Sequence, residues 1–215
     1  MSSTSRTSWA AVIGDVVGSR QAVSRSRLQR RLDKALAGVN SEMTPVQPLT
    51  STIGDEFQGM FTTVEEAVEA SLRLRLELEG KADVRIGIGW GTLRIRDPGR
   101  TPFGQDGPCW WRAREALDEL ARTERSNQEP NSLRTVCRTG TDREVALNAI
   151  LVLRDHILGG IDELDAIILR LLIGGGSQQD AAAKLGVNKS SISRRMQNHG
   201  LAALLRSREH LGPAA

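Results

Sequence analysis

Hydrophobic positions recur at two spacings along this chain, every second residue in some stretches and every third or fourth in others. Residues 9–13 form a short apolar run closed by Gly14 and Asp15, which predicts a buried strand. Leu28, Leu32 and Leu36, with Ala35 and Val39, make one apolar stripe of a helix over about residues 24–39, whose other face carries Arg25, Arg27, Arg30, Arg31 and Lys34. Residues 49–53 and 56–61 read as two strands joined by a hairpin turn at Gly54-Asp55. Val64, Ala67, Val68, Ser71 and Leu72 predict a second helix, started by Thr62 or Thr63 with Glu65 and Glu66 in its first turn and stopped at Gly80. Leu72, Leu74, Leu76 and Leu78 alternate within it, which gives the helix a second leucine row suited to packing or to a dimer face. Residues 84–90 alternate as a strand does, continued through residues 92–96 to a turn at Asp97-Pro-Gly99.

The order strand, helix, strand, strand, helix, strand is the ferredoxin-like βαββαβ arrangement, an α+β fold with an antiparallel sheet and helices on one face. A helix over residues 109–122, a polar loop over 124–132, a strand over 135–137 and a helix over 143–158 follow. Gly159-Gly160 marks a boundary. The expected division is a disordered start at residues 1–8, a sheet domain over 9–158 and a helical module over 161–215. In that module Ala182, Leu185, Val187, Ile192 and Met196 are spaced to form the inside of a helix-turn-helix. Gly186 serves its tight turn, Asn188 caps the second helix, and Leu201, Leu204 and Leu205 supply a closing helix.

Composition narrows the class. Apolar residues are 39% of 215, and no apolar run approaches the roughly 20 residues of a membrane span. The first eight residues lack the apolar centre of a signal peptide, and Cys109 and Cys137 are too few for a disulfide framework or a multi-cysteine zinc site. A soluble cytoplasmic protein is expected. Charge is uneven: from Ser177 onward six cations (Lys184, Lys189, Arg194, Arg195, Arg206, Arg208) face two anions (Asp180, Glu209), a net +4 against +3 for the whole chain. A basic end on a near-neutral body suits a polyanion, and Lys189, Ser190, Ser191, Arg194, Arg195 and Asn198 are the side chains expected to contact double-stranded DNA.

Two carboxylates fall at the ends of adjacent elements, Asp15 after the first strand and Asp55 in the hairpin turn. Neighbouring first and third strands would bring them together to share a Mg²⁺, which prefers one or two carboxylates plus substrate phosphates. The following loop, Val16, Val17, Gly18, Ser19 and Arg20, leads into a helix start and is the expected phosphate cradle. His156, His199 and His210 have no ligand-like companions.

Ile13-Gly-Asp-Val-Val-Gly-Ser19 resembles the first metal-binding segment of class III nucleotide cyclases. Thr52-Ile-Gly-Asp-Glu-Phe57 resembles their second and the GGDEF signature of diguanylate cyclases; Arg85-Ile-Gly-Ile-Gly-Trp-Gly91 resembles the cyclase strand after the second helix. With Gly107-Pro-Cys-Trp-Trp-Arg-Ala-Arg-Glu-Ala-Leu117, the whole chain resembles the SatD family, and its end resembles the helix-turn-helix of sigma-factor-type regulators. The cyclase resemblance implies binding of a purine nucleotide with Mg²⁺, and a homodimer. It also implies an Asn and an Arg on the next helix to stabilise the transition state, where this sequence has Trp111 and Glu115. A bulky indole and an anion cannot stabilise developing charge on a triphosphate. Arg112 and Arg114 lie at other angles around that helix. The expectation is therefore a DNA-binding transcriptional regulator with a degenerate, nucleotide-sensing cyclase-like domain. Its rivals are an active nucleotidyl cyclase or polymerase-like enzyme localised by the helix-turn-helix, and a scaffold that binds neither ligand.

Overall fold

A computed structural model describes residues 7–21, 23–95, 105–126 and 133–212. Its elements are β1 (Ser8–Val16), a short 3-10 turn (Ser19–Gln21), α1 (Arg25–Glu42), β2 (Gln47–Ser51), β3 (Glu56–Phe61), α2 (Val64–Leu78), β4 (Val84–Thr92), β5 (Arg94–Ile95) and β6 (Gln105–Asp106). There follow α3 (Pro108–Ser126), β7 (Thr135–Arg138), α4 (Arg143–Gly160), α5 (Glu163–Ile173), α6 (Gln178–Leu185), α7 (Lys189–Asn198) and α8 (Leu201–Leu211). The main sheet is ordered β2-β3-β1-β4-β7. β1 is antiparallel to both β3 and β4, and β7 adds a parallel strand beside β4. The chain is thus a mixed α/β domain followed by an all-helical bundle.

Local chemistry sets the element ends. Ser24 caps α1 by accepting the Arg27 backbone N–H at 3.4 Å. Thr63 and Glu66 form a reciprocal capping box at the start of α2. Gly54 takes φ +72° in the β2–β3 turn, a conformation natural to glycine.

Alternation along β1 sends Ala10, Val12 and Val16 into a core with α1, α2 and α4, while Ala11 and Ile13 join Cys109, Trp110, Ala113 and Leu117 of α3. Helices therefore cover both faces, where one was expected. The glycines of β4 are the reason. A Cβ on Gly87 would stand 2.2 Å from the Ala113 carbonyl oxygen, and one on Gly89 would stand 2.1 Å from that of Cys109. Alternate glycines clear a flat track on which the α3 backbone lies directly against the sheet.

Three expectations shift in register. β1 runs on through Gly14 and Asp15 because both pair with β3 and β4. α3 continues to Ser126, past the predicted loop start at 124. β4 ends at Thr92, and Arg94 and Ile95 pair with β6 instead; the expected turn at Asp97-Pro-Gly99 lies outside the described residues. So do residues 1–6 of the expected disordered start, while β1 already includes Ser8.

The leucine rows of α2 face opposite ways. Leu74 and Leu78 enter the sheet core, whereas Leu72 and Leu76 pack with Leu158, Ile168, Leu169, Ile192, Met196, Leu201 and Leu204 of the helical bundle. Each fully buried leucine contributes about 1.5–3 kcal/mol. The second row is consumed inside the chain, so it does not supply the suggested dimer face. Gly159 and Gly160 are the last residues of α4, and α5 begins only three residues later, so the bundle is joined closely to the domain before it. Buried Glu69 of α2 clasps Arg208 of α8 at 2.7 Å across the same contact.

Candidate functional site

The β1–β3 register pairs Asp15 with Glu56, which brings Asp15 beside the turn that holds Asp55. Both aspartates line one pocket of about 450 Å³, walled by the loop after β1, the β2–β3 turn, Arg85 of β4 and Arg114, Leu117 and Asp118 of α3. Gly14 has a packing role: a Cβ there would stand 2.2 Å from the Phe57 ring on the neighbouring strand. Glycine at this position lets Phe57 lie flat across β1.

The expected phosphate loop divides. Gly18 and Ser19 line the pocket, and the Ser19 hydroxyl donates to Asp55 Oδ2, tying loop to turn. Val16 is a buried strand residue that also borders the pocket. Val17 is not available as a cradle donor, because its N–H is already given to the Asp83 carbonyl at 2.9 Å. Arg20 falls within the 3-10 turn, and its side chain lies outside the described residues. The loop does not run straight into α1, whose first turn starts after Ser24. On the α1 side of the turn, a smaller cavity of about 210 Å³ is bordered by Ser19, Arg25, Gln29 and Asp55.

Sequence reasoning missed the arginines of this pocket. Arg85 donates to both oxygens of Asp15, Nε to Oδ1 at 2.9 Å and Nη2 to Oδ2 at 2.7 Å, and reaches Glu124 at 2.8 Å. Arg114 forks onto Glu56 at 3.0 and 2.8 Å. Arg114 is held above the ordinary arginine value by its bonds to Glu56. Burial pulls Arg85 down, but its bonds to Asp15 outweigh that and the net is upward. Both stay charged. Arg85 was legible only as part of a glycine-rich strand, and Arg114 only as a helix position at the wrong angle for an assumed role.

Magnesium fits this pocket in charge better than in ligand count. Four lining carboxylates (Asp15, Asp55, Glu56, Asp118) face two lining guanidiniums, which leaves an excess suited to a divalent cation. Arg85, however, occupies both Asp15 oxygens, and the described residues contain no group of three or more His, Cys, Asp or Glu placed to hold a metal. Asp55 keeps one oxygen free of its Ser19 bond, so an ion here would lean on Asp55, water and ligand phosphates. Asp15 and Asp55 thus line the same pocket, Asp15 bonded to Arg85 and Asp55 to Ser19.

Further along α3, Trp111 is exposed with Nε1 bonded to Asp106 Oδ1 at 2.6 Å, and Glu115 is exposed beside it. Arg112 is fastened to the carbonyls of Trp90 at 2.6 Å and Thr139 at 3.0 Å, a structural bracket. Neither cysteine is activated: burial pushes the Cys109 thiol up to about 11 and the Cys137 thiol up to about 12.

In the bundle, Ser177 and Asp180 cap α6 reciprocally, and Gly186 ends it at φ +66°. Asn188 stands at the N-cap of α7, though its side chain makes no capping bond. Ile192 and Met196 hold α7 down. At about 100° per residue, Ser190, Arg194, Gln197 and Asn198 share the opposite side. Lys189, Ser190, Arg194 and Asn198 are exposed and Ser191 half-buried; none has a side-chain partner among the described residues. Gln197 had not been singled out.

Arg195 differs. Its Nη1 bonds Asp162 at 2.8 Å and the buried Asp165 at 2.8 Å, and His199 Nδ1 meets Asp165 at 2.6 Å. Arg195 thus clamps α7 to α5 through Nη1, unlike the other side chains of the expected DNA-contacting set. Arg206 pairs with Glu209 and Arg208 with Glu69. Of the six cations expected to face a polyanion, Lys184, Lys189 and Arg194 have no ion-pair partner among the described residues.

The two-layered picture, an α/β domain with a charged pocket and a bundle with one polar helix face, defines the class of protein. The profile of the SatD family matches residues 9–212, and the chain belongs to that family. No curated protein matches it. Among solved structures it is similar to the guanylyl cyclase Cya2, at 14% identity and a TM-score of 0.43 over 52% of this chain and 70% of that one. It is similar to a bacterial light-regulated adenylyl cyclase at 15% identity and 0.43 over 61% and 75%. The guanylyl cyclase domain of the RhoGC fusion protein from the aquatic fungus Blastocladiella emersonii gives 14% and 0.43 over 53% and 74%. Among the described residues no helix is long and apolar enough to cross a membrane.

Proposed function

We propose that this protein is a DNA-binding transcriptional regulator whose ferredoxin-like, cyclase-like domain senses a nucleotide without turning it over. The observation that carries the DNA reading is α7: one side is pinned by Ile192, Met196 and the Arg195 clamp, while Lys189, Ser190, Arg194 and Asn198 stand outward with no internal partner. The left-handed Gly186 between α6 and α7 supports reading the pair as a helix-turn-helix whose second helix would enter a groove. Paired half-sites call for a homodimer, which then needs a surface other than the α2 leucines.

The nucleotide reading rests on the pocket at Asp55. Gly18, Ser19 and the excess of carboxylate there would meet phosphates that arrive with Mg²⁺, and Arg85 and Arg114 are at hand. By the sequence resemblance to cyclases, Trp111 and Glu115 fall at the positions of the transition-state Asn and Arg, which supports sensing over catalysis. Gel mobility shift across a salt series tests the DNA half. Arg194→Ala should weaken binding about evenly across sequences and reduce the salt slope by about 1. An unchanged slope would remove α7 as the reader. For the sensor half, a nucleotide with Mg²⁺ at a hundredfold excess over its Kd should add about 2.7 kcal/mol of stability. Formation of a cyclic or oligomeric product, absent in Asp55→Ala, would convert the reading to an enzyme.

A further inference from the structure

The outward side of α4 is apolar. At about 100° per residue, Leu147, Leu151 and Leu158 fall on the side turned into the chain. Every exposed residue from 145 to 153 falls within about 60° of Ala149 on the other side. That sector consists of Val145, Ala146, Ala149, Val152 and Leu153, and the run from 145 to 153 contains no charged residue. Val145 is 80% and Leu153 67% exposed. A surface helix ordinarily turns polar residues to water, as α1 does with Arg30, Arg31 and Lys34. Three of the eight large apolar side chains exposed among the described residues stand on this one face, while the other five are scattered. Scattered ones are normal, whereas a contiguous patch marks an interaction site.

The order of residues in the stripe indicates what covers it. Val145 and Leu153 lie four residues to either side of Ala149, Ala146 and Val152 three, and Asp142 and His156 seven. Asp142 and His156 are exposed, and neither side chain has a partner among the described residues. An antiparallel copy crossing at Ala149 would set Val145 level with Leu153 of the partner subunit and Ala146 level with Val152 of the partner subunit. It would also set the Asp142 carboxylate beside the imidazole of His156 of the partner subunit. Each contact occurs twice, as a twofold interface requires. Parallel packing would instead set acid on acid and imidazole on imidazole. The small side chain of Ala149 at the axis lets two helices approach closely. A centre without charge and polar groups at the rim is the composition of an interface.

We infer that α4 is the dimerisation face of this protein, packed antiparallel against α4 of a second copy about a twofold axis at Ala149. It supplies the homodimer that the DNA reading calls for, yet it stands on α4 alone and survives if that reading fails. A single helix pair lies at the small end of specific interfaces, so a Kd on the order of micromolar is expected.

Sedimentation equilibrium of the full chain over about 1–500 µM, which brackets such a Kd, tests it. The parent should pass from monomer to dimer. Val145→Glu and Leu153→Lys, both at exposed positions where folding tolerates change, should each weaken the dimer at least about tenfold. The double variant should recover it, because the register sets each introduced acid level with an introduced base of the other copy. Ala149→Cys should cross-link under mild oxidation, since the axis brings the two new thiols together and native Cys109 and Cys137 are buried. A parent that stays monomeric throughout overturns the proposal, as does a dimer that neither single variant weakens. Weakening by both single variants, with no recovery in the double variant and no cross-link at position 149, overturns the antiparallel register and leaves α4 as the face.

Discussion

The pocket at Asp55 and the outer side of α7 are both charged surfaces, but they are charged in different ways. In the pocket Asp15 is matched by Arg85 and Glu56 by Arg114 within the chain. On α7 the one arginine that has acids to meet, Arg195, is turned inward, and Arg194 stands unmatched one residue away. The first is a partly compensated site, where a ligand meets two existing ion pairs beside an excess of carboxylate. The second is a displayed surface, whose cations Lys189 and Arg194 are exposed and have no ion-pair partner among the described residues. Sequence charge alone does not separate the two, since Arg194 and Arg195 contribute equally to the net +4. Only what packs around each decides which is structural and which is available.

The comparison breaks most decisively at the contact between the two regions. Leu76→Ala should cost about 2–5 kcal/mol by urea denaturation, with one transition moving as a whole because Leu76 belongs to the bundle core while its helix also builds the sheet core. Two separated transitions, of which only one shifts, would mean that the bundle folds independently of the domain. A smaller effect is expected at the clamp: Arg195→Ala should cost about 1–3 kcal/mol by leaving the buried Asp165 one partner short. Any loss of DNA affinity in that variant should follow the loss of folded protein, unlike that of Arg194→Ala. Gly89→Ala acts on the other region. Its Cβ would collide with the α3 backbone, so a cost of about 1–3 kcal/mol should come with weaker nucleotide binding and unaltered DNA binding.

The mildest prediction concerns acid. The Asp165 backbone N–H, and after it Arg195, hold the Asp162 carboxyl below the ordinary aspartate range. A lowered value favours the carboxylate in the folded state. This stabilisation is therefore fully present above the unfolded value of about 3.9 and is lost as pH falls through the lower folded value. Stability measured from pH 5 downward should fall less steeply in Arg195→Ala than in the parent, and parallel curves would exclude the clamp as the source.

Much of the architecture was legible because periodicity reports burial directly. The stripe at Leu32, Leu36 and Val39 did become the buried side of α1, and the alternation in residues 84–90 did become β4. The convergence of Asp15 and Asp55 followed from strand adjacency, and both border one pocket. What stayed hidden depended on contacts between distant segments. The glycines at 87 and 89 looked like part of a motif, and nothing local announced that α3 would lie on them. The alternating leucines of α2 gave two rows without saying that the chain's own end would cover the second. Val17 looked like a phosphate donor because its partner, the Asp83 carbonyl, is 66 positions away in the sequence and a neighbour in space.

Spacing and residue type by themselves determined most of the elements and their order, the turn at Gly54, the start of α2 at Thr62 or Thr63, and the pairing of an acidic turn with a strand end. These are matters of backbone preference and of apolar side chains seeking one side of a helix or sheet. Tertiary structure alone decided which charges are spent and which remain. An ion pair is made by whatever approaches within a few ångströms, and no periodicity records that Arg85 would meet Asp15, that Arg195 would meet Asp165, or that Trp110 would be buried with its N–H unanswered.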